Sequence, residues 1–154
     1  MTKPLDQIDQ KILRELQADA RLTHQELSDR VGLSATPCAR RIRNLESAGV
    51  ITGYSANIDE TKLGFGLAVF VSVQLDRQID DRLMNFEHEV GLLPEVIDCW
   101  LMTGNRDYLL RIAVADLLEF ERFLTGRLTK IEGVASIESS IPIRRVKGRM
   151  ARLH

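Results

Sequence analysis

At 154 residues, with 44% hydrophobic and 28% charged side chains, the chain has room for one compact domain or two very small ones, and its ordinary composition excludes fibrous and disordered classes. It holds no run of ~18 uninterrupted apolar residues, the length a membrane-spanning helix needs. The net charge of −1 is uneven: residues 1–55 carry eight Lys/Arg against seven Asp/Glu, residues 56–143 eight against fifteen, and the tail 144–154 five (Arg144, Arg145, Lys147, Arg149, Arg152) against none, so any nucleic-acid contact must be local.

The first half reads as helices. Leu5, Ile8, Ile12, Leu13 and Leu16 recur at helical spacing and form one apolar stripe; Asp6 is its N-cap, with Asp9 three residues on as a weaker capping box. Thr23-His24-Gln25-Glu26 fits the full S/T-x-x-E signature and starts a short second helix that buries Leu27 and Val31. Gly32 stops it at a C′-like position. Ser34 is expected to cap a third helix with Pro37 in its first turn, where a missing N–H costs little, ending near Gly49. Helix, short helix, Gly-containing turn, helix is the helix-turn-helix pattern. Val50–Ala56 follows as a strand or small wing, and Thr61-Lys62-Leu63-Gly64-Phe65-Gly66 breaks regular structure. The expected organisation is therefore a DNA-binding domain at 1–55, a linker at 56–66, a second domain at 67–143 and a basic tail at 144–154.

The second half changes period. Leu67, Val69, Val71, Val73 and Leu75 alternate with other residues, as a strand does. Asp80–Leu93 has Leu83, Phe86 and Val90 at helical spacing. Val96–Thr103 and Tyr108–Val114 are strands joined by Gly104-Asn105-Arg106-Asp107, a hairpin-turn composition. Asp116 with Glu119 caps another helix, expected to bury Leu117, Phe120, Leu124 and Leu128, and Val134–Pro142 is a last strand. The order is βαββαβ, the ferredoxin-like arrangement, so the fold class is α+β: an N-terminal winged helix-turn-helix domain joined to a C-terminal ferredoxin-like domain. Helices cover only one face of such a sheet, and the apolar strands imply a partner subunit on the other.

On the third helix, at 100° per residue, Cys38, Ile42 and Leu45 share one side, while Thr36, Arg40, Arg43 and Ser47 share the other with Asn44 flanking. That outer stripe holds no acid. Arg can bridge two acceptors on guanine, Asn can do so on adenine, and Thr can meet a thymine methyl or a phosphate. The start of this helix reaches base edges in a helix-turn-helix, which nominates Ala35, Thr36, Pro37 and Arg40 for bases and Arg41 and Arg43 for phosphates. A solvated surface helix is the bland alternative. Cys38, on the inner side, reads as a small core residue. Cys38 and Cys99 match no metal or redox spacing, and with no apolar signal segment after Met1 a reduced cytoplasm is the expected setting, with no cofactor.

Leu-Asp-x-x-Asp-x-Lys-Ile-Leu at 5–13, Asp19-Ala20-Arg21, Gly32-Leu33-Ser34, Arg40-Arg41-Ile42, Leu45-Glu46-x-x-Gly49-Val50-Ile51-x-Gly53-Tyr54 and Thr103-Gly104-x-x-Asp107-Tyr108-Leu109-Leu110 together resemble the Lrp/AsnC ("feast/famine") family of amino-acid-responsive transcription regulators, in order and over nearly the whole chain. Thr36-Pro37-Cys38 is similar to a common variant of the family's reading helix, although Ala39 stands where a larger aliphatic residue is frequent. The resemblance implies a regulator of double-stranded DNA, and homodimers assembling into octamers or similar rings that bend or wrap it.

It also implies an amino-acid site near the Gly-x-x-Asp turn, in clefts between dimers. Carried onto this chain, that nominates Gly104 and Asp107, with Met102, Thr103, Asn105 and Tyr108 nearby and Ser139 and Ser140 from the last strand. Asp107 would take the effector's ammonium, the Gly-containing turn would offer N–H groups to its carboxylate, and the expected effector is a small or apolar amino acid. Trp100 and Arg111 are further candidates for the cleft, Trp100 equally for interface packing. Asp107 and Gly104 read alternatively as shapers of a tight hairpin. The basic tail reads as solvated, as DNA-contacting or as paired with the acidic second half. Two rival functions stand beside the regulator: an architectural DNA protein without effector, and an enzyme of the haem-pathway decarboxylase type. An enzyme needs a paired acid/base or haem-ligating constellation, and His24, His88 and His154 have no convincing partners.

Overall fold

The computed structural model describes residues 4–148 and 151–153; Arg149, Met150 and His154 lie outside the described residues, as do residues 1–3. The chain divides into two compact units. One runs to Asn57 and takes in the C-terminal segment from Lys147; the other is Ile58–Val146.

The first unit holds α1 (Gln7–Ala18), α2 (His24–Val31) and α3 (Ala35–Ser47). Asp6 and Asp9 form a reciprocal capping box, as do Thr23 and Glu26, each pair satisfying N–H groups that a helix start leaves without partners. Gly32 ends α2 at φ 76°, a conformation that costs glycine nothing. Ser34 stands at the N-cap of α3, but its hydroxyl makes no capping bond. The reason lies three residues on: the N3 position is Pro37, which has no N–H to donate. Ile12, Leu13, Leu27, Val31, Cys38, Ile42 and Leu45 interlock as the core.

Val50–Asn57 forms no strand. Its first two N–H groups are used at the end of α3, where Val50 and Ile51 both donate to the Leu45 carbonyl, and no other described segment pairs with the rest, so an extended run has no ladder to join. The interval expected to be a plain linker is also structured. Asp59 caps a single 3-10 turn, Glu60–Leu63, ended by Gly64 at φ 94°.

The second unit is a four-stranded antiparallel sheet in the order β2-β3-β1-β4, built from β1 (Leu67–Leu75), β2 (Val96–Leu101), β3 (Tyr108–Val114) and β4 (Val134–Ser140), with α4 (Asp80–Gly91) and α5 (Leu117–Gly126). Both helices pack on one face. Phe86 and Val90 of α4 and Phe120 and Phe123 of α5 close over Val69, Val71, Val73, Tyr108, Leu110 and Ile112. Asp116 caps α5 through the Glu119 N–H. Leu117 is exposed and Phe123 takes the core place expected of it: Leu117 is the first helical residue, ahead of the sheet-facing stripe that begins at Phe120. β4 stops at Ser140, short of Pro142, whose missing N–H cannot extend a ladder. Opposite the helices, Phe70, Ser72, Leu109 and Trp100 lie on an uncovered sheet face, Trp100 paired with Leu109.

Candidate DNA interface and effector turn

The two faces of α3 separate as the periodicity predicts. Cys38, Ile42 and Leu45 are buried, whereas Thr36, Arg40, Arg43, Asn44 and Ser47 are exposed and Ala35 and Pro37 are half-buried. Arg40 and Arg43 have no carboxylate within ion-pairing distance among the described residues, so their charge is available to a ligand. Arg41 is different. Its guanidinium reaches back to α1 and bonds Asp6 and Asp9, each at 2.7 Å. A backbone bond from Asp9 and this guanidinium hold the Asp6 carboxyl below the ordinary carboxylate range. Arg41 therefore clasps α3 to α1, and its guanidinium is engaged within its own chain where those of Arg40 and Arg43 are not.

At the β2–β3 turn, Met102, Thr103, Gly104 and Asn105 are exposed, and Gly104 sits at φ 112°, where a side chain would be strained. Met102 N–H closes the turn on the Asp107 carbonyl at 2.8 Å. The Asp107 carboxylate faces inward: it is 3% exposed, accepts the Leu75 N–H at 2.7 Å and is hydrogen-bonded by the Gln78 side chain. Both oxygens are engaged, so within one chain Asp107 is a brace for the turn and not an open ammonium acceptor. Tyr108 is likewise a core residue. Its ring packs against Phe86 with centroids 4.6 Å apart, its hydroxyl donates to Glu87 at 2.8 Å, and burial together with that bond pushes its pKa upward.

Nor do Ser139 and Ser140 join the turn. Ser139 pairs with Val71 and Ser140 with Phe70, whereas the turn emerges beyond Tyr108, opposite Val73. Adjacent strand residues also point to opposite faces, so the two serines cannot serve one site in a single chain. The residue that does join the turn to β4 is Arg106, outside the nominated set: it donates to Ser136 at 2.6 Å and to Glu138 at 3.0 Å. A cation inside the turn and a Ser-x-Glu pair with period-two spacing on the last strand are the signals that point to it. Arg111, a candidate for the cleft, is 6% exposed and committed to Asp98 and, through two bonds, to Glu60. Trp100 stays 44% exposed. His24 and His88 are both exposed.

A three-helix unit that presents an acid-free stripe from its third helix, followed by a separate sheet unit with an exposed turn, defines a helix-turn-helix transcription regulator with an appended ligand-binding domain. Residues 5–52 match the winged helix-turn-helix DNA-binding family, and residues 68–152 match the Lrp/AsnC ligand binding domain. The chain belongs to the Lrp/AsnC family of transcription regulators. It is 47% identical to the Bkd operon transcriptional regulator of Pseudomonas aeruginosa over 147 residues, 96% of each chain. It is 41% identical to the leucine-responsive regulatory protein of Escherichia coli, covering 94% of this chain and 88% of that one. Among solved structures, a transcriptional regulator of Neisseria meningitidis in complex with L-Met superposes with a TM-score of 0.89 at 38% identity, over 94% of both chains. An AsnC family regulator of Agrobacterium tumefaciens superposes with a TM-score of 0.88 at 36% identity, over 96% of both.

Proposed function

We propose that this regulator reads DNA with the outer stripe of α3 and responds to a small or apolar amino acid bound at the Gly104 turn. The observation that carries the first half is the pair Arg40 and Arg43, exposed on a helix-turn-helix reading helix and without carboxylate partners among the described residues. Arg40 lies nearer the helix start and takes a base edge, with Ala35, Thr36 and Pro37 beside it; Arg43 and Asn44 take flanking positions. A bidentate Arg–guanine contact contributes about 1–3 kcal/mol of base discrimination. On a duplex selected from random sequence by the parent protein, Arg40→Ala should lose about that much selectivity while its oligomeric state is unchanged. Unaltered selectivity would remove Arg40 from the reading set.

The effector half is supported by the exposed backbone of Met102–Asn105 around a left-handed glycine, and by the L-Met bound to the Neisseria relative. In this reading the turn's N–H groups face the effector carboxylate, Asp107 holds the turn in shape, and Ser140 contributes only from a second subunit. Homodimers joined through the open sheet face, assembling into octamers or similar rings, supply that subunit. The protein acts as a cytoplasmic regulator and not as an enzyme. Calorimetric titration with the twenty amino acids should detect binding by apolar members such as methionine or leucine. Heat only from lysine or arginine would overturn the assignment of effector class, and binding by none would leave the architectural reading.

A further inference from the structure

The segment from Lys147 onward has no place in the DNA-reading scheme above, yet it belongs to the DNA-binding unit. The chain leaves β4, passes the exposed Ile143 and Val146, and rejoins the first unit. There Leu153, half-buried, packs against the helical core. Ala151 lines a groove of about 910 Å³ together with Leu16, Ala20, Val50 and Tyr54, so the returning segment runs along the end of α1 and the extended run that follows the reading helix.

The return changes the unit's charge. Residues 1–57 carry eight Lys/Arg against seven Asp/Glu, a balance of +1 that Lys147, Arg149 and Arg152 raise to +4; Ile58–Val146 carries ten against fifteen, or −5. Lys147 and Arg152 are exposed and have no ion-pair partner among the described residues. Lys147 and Arg152 are thus not engaged with acids of the described residues as Arg41 is. A half-buried apolar residue packed against the core and the exposed Lys147 and Arg152 preceding it make an anchored arm whose outward chemistry suits a polyanion.

We propose that the C-terminal segment is a second DNA-contacting element, anchored by Leu153, whose Lys147 and Arg152 bind phosphodiester groups flanking the site read by α3. The assignment rests on the DNA-binding reading. It differs from it in kind, because phosphate contacts strengthen binding to any sequence and make affinity salt-dependent.

The test uses the full chain and a mixed-sequence duplex, with affinity measured across a salt series. Lys147→Gln/Arg152→Gln keeps the anchor and should flatten the slope of log affinity against log salt by about 0.9 for each phosphate no longer neutralised, with the thermal midpoint unchanged. Leu153→Asp keeps both cations but releases the arm; it should flatten the slope likewise and lower the midpoint of the first unit. A steep parental slope left unchanged in the double variant overturns the phosphate role, and one left unchanged by Leu153→Asp overturns the anchor. A flat slope in the parent itself is a different result, and it defeats the DNA-binding reading as well.

Discussion

Asp107 shows how one residue satisfies a local rule and a functional expectation at once, and how structure separates them. An acid three residues after a glycine can be a turn brace or a ligand for an ammonium. Burial decides, because a carboxylate 3% exposed, with one oxygen taken by the Leu75 N–H and the other by the Gln78 side chain, presents no open oxygen to a ligand. The two roles respond differently to conservative substitution. Asp107→Asn retains an acceptor for the Leu75 N–H and removes the charge; Asp107→Ala removes both. As a brace, Asn should preserve amino-acid binding, while Ala leaves a buried N–H unsatisfied at a cost of about 1–3 kcal/mol and loses binding with it. As an ammonium ligand, both variants would fail alike. Thermal unfolding read beside calorimetry distinguishes them, and loss of binding in a stably folded Asp107→Asn protein would restore the ligand role.

The same competition explains what was legible element by element. Helix starts could be read because their chemistry is local: the Asp6 and Thr23 capping boxes involve residues three apart. The buried stripe of α3 followed from its period alone. The N-cap at Ser34 was half legible, since the position was correct while Pro37 removed the N–H its hydroxyl needed. What the sequence concealed is long-range pairing. Nothing near Arg41 announces that it will meet residues 32 and 35 positions away, and nothing near Glu60 announces Arg111. Arg41 gives this distinction a measurable form. Asp6 has its carboxyl pKa lowered in the folded protein, so the stability it contributes is fully present above the ordinary aspartate value of 3.8 and is lost as pH falls through the lower folded value. Arg41→Gln should therefore lower the thermal midpoint of the first unit at neutral pH, with the gap to the parent closing as pH drops below about 4. Because Arg41 binds its own chain, the salt dependence of DNA affinity should be nearly the same in variant and parent. A flattened slope at constant stability would place it among the phosphate contacts.

At the scale of the molecule, the sheet has two unlike faces. One is sealed by α4 and α5; the other carries half-buried Phe70 and Leu109 and exposed Trp100 across neighbouring strands, with Arg111 and its acidic partners beyond them. Apolar side chains from adjacent strands on one open face form a surface that a second sheet can cover, and a two-fold axis lets the same patch serve both subunits. Trp100, the chain's one tryptophan, stands on that face at 44% exposure and reports on it directly. If subunits join through this face, the indole is wet in the free chain and dry in the assembly. Its emission should then shift to longer wavelength on dilution through the dissociation range, in step with the mass measured by sedimentation. Trp100→Ala should weaken association, since large aromatic residues at the centre of an interface are the ones whose removal costs about 2 kcal/mol or more. An emission maximum that stays constant while the mass changes would place the subunit contact elsewhere, on the open edge of β2 or β4.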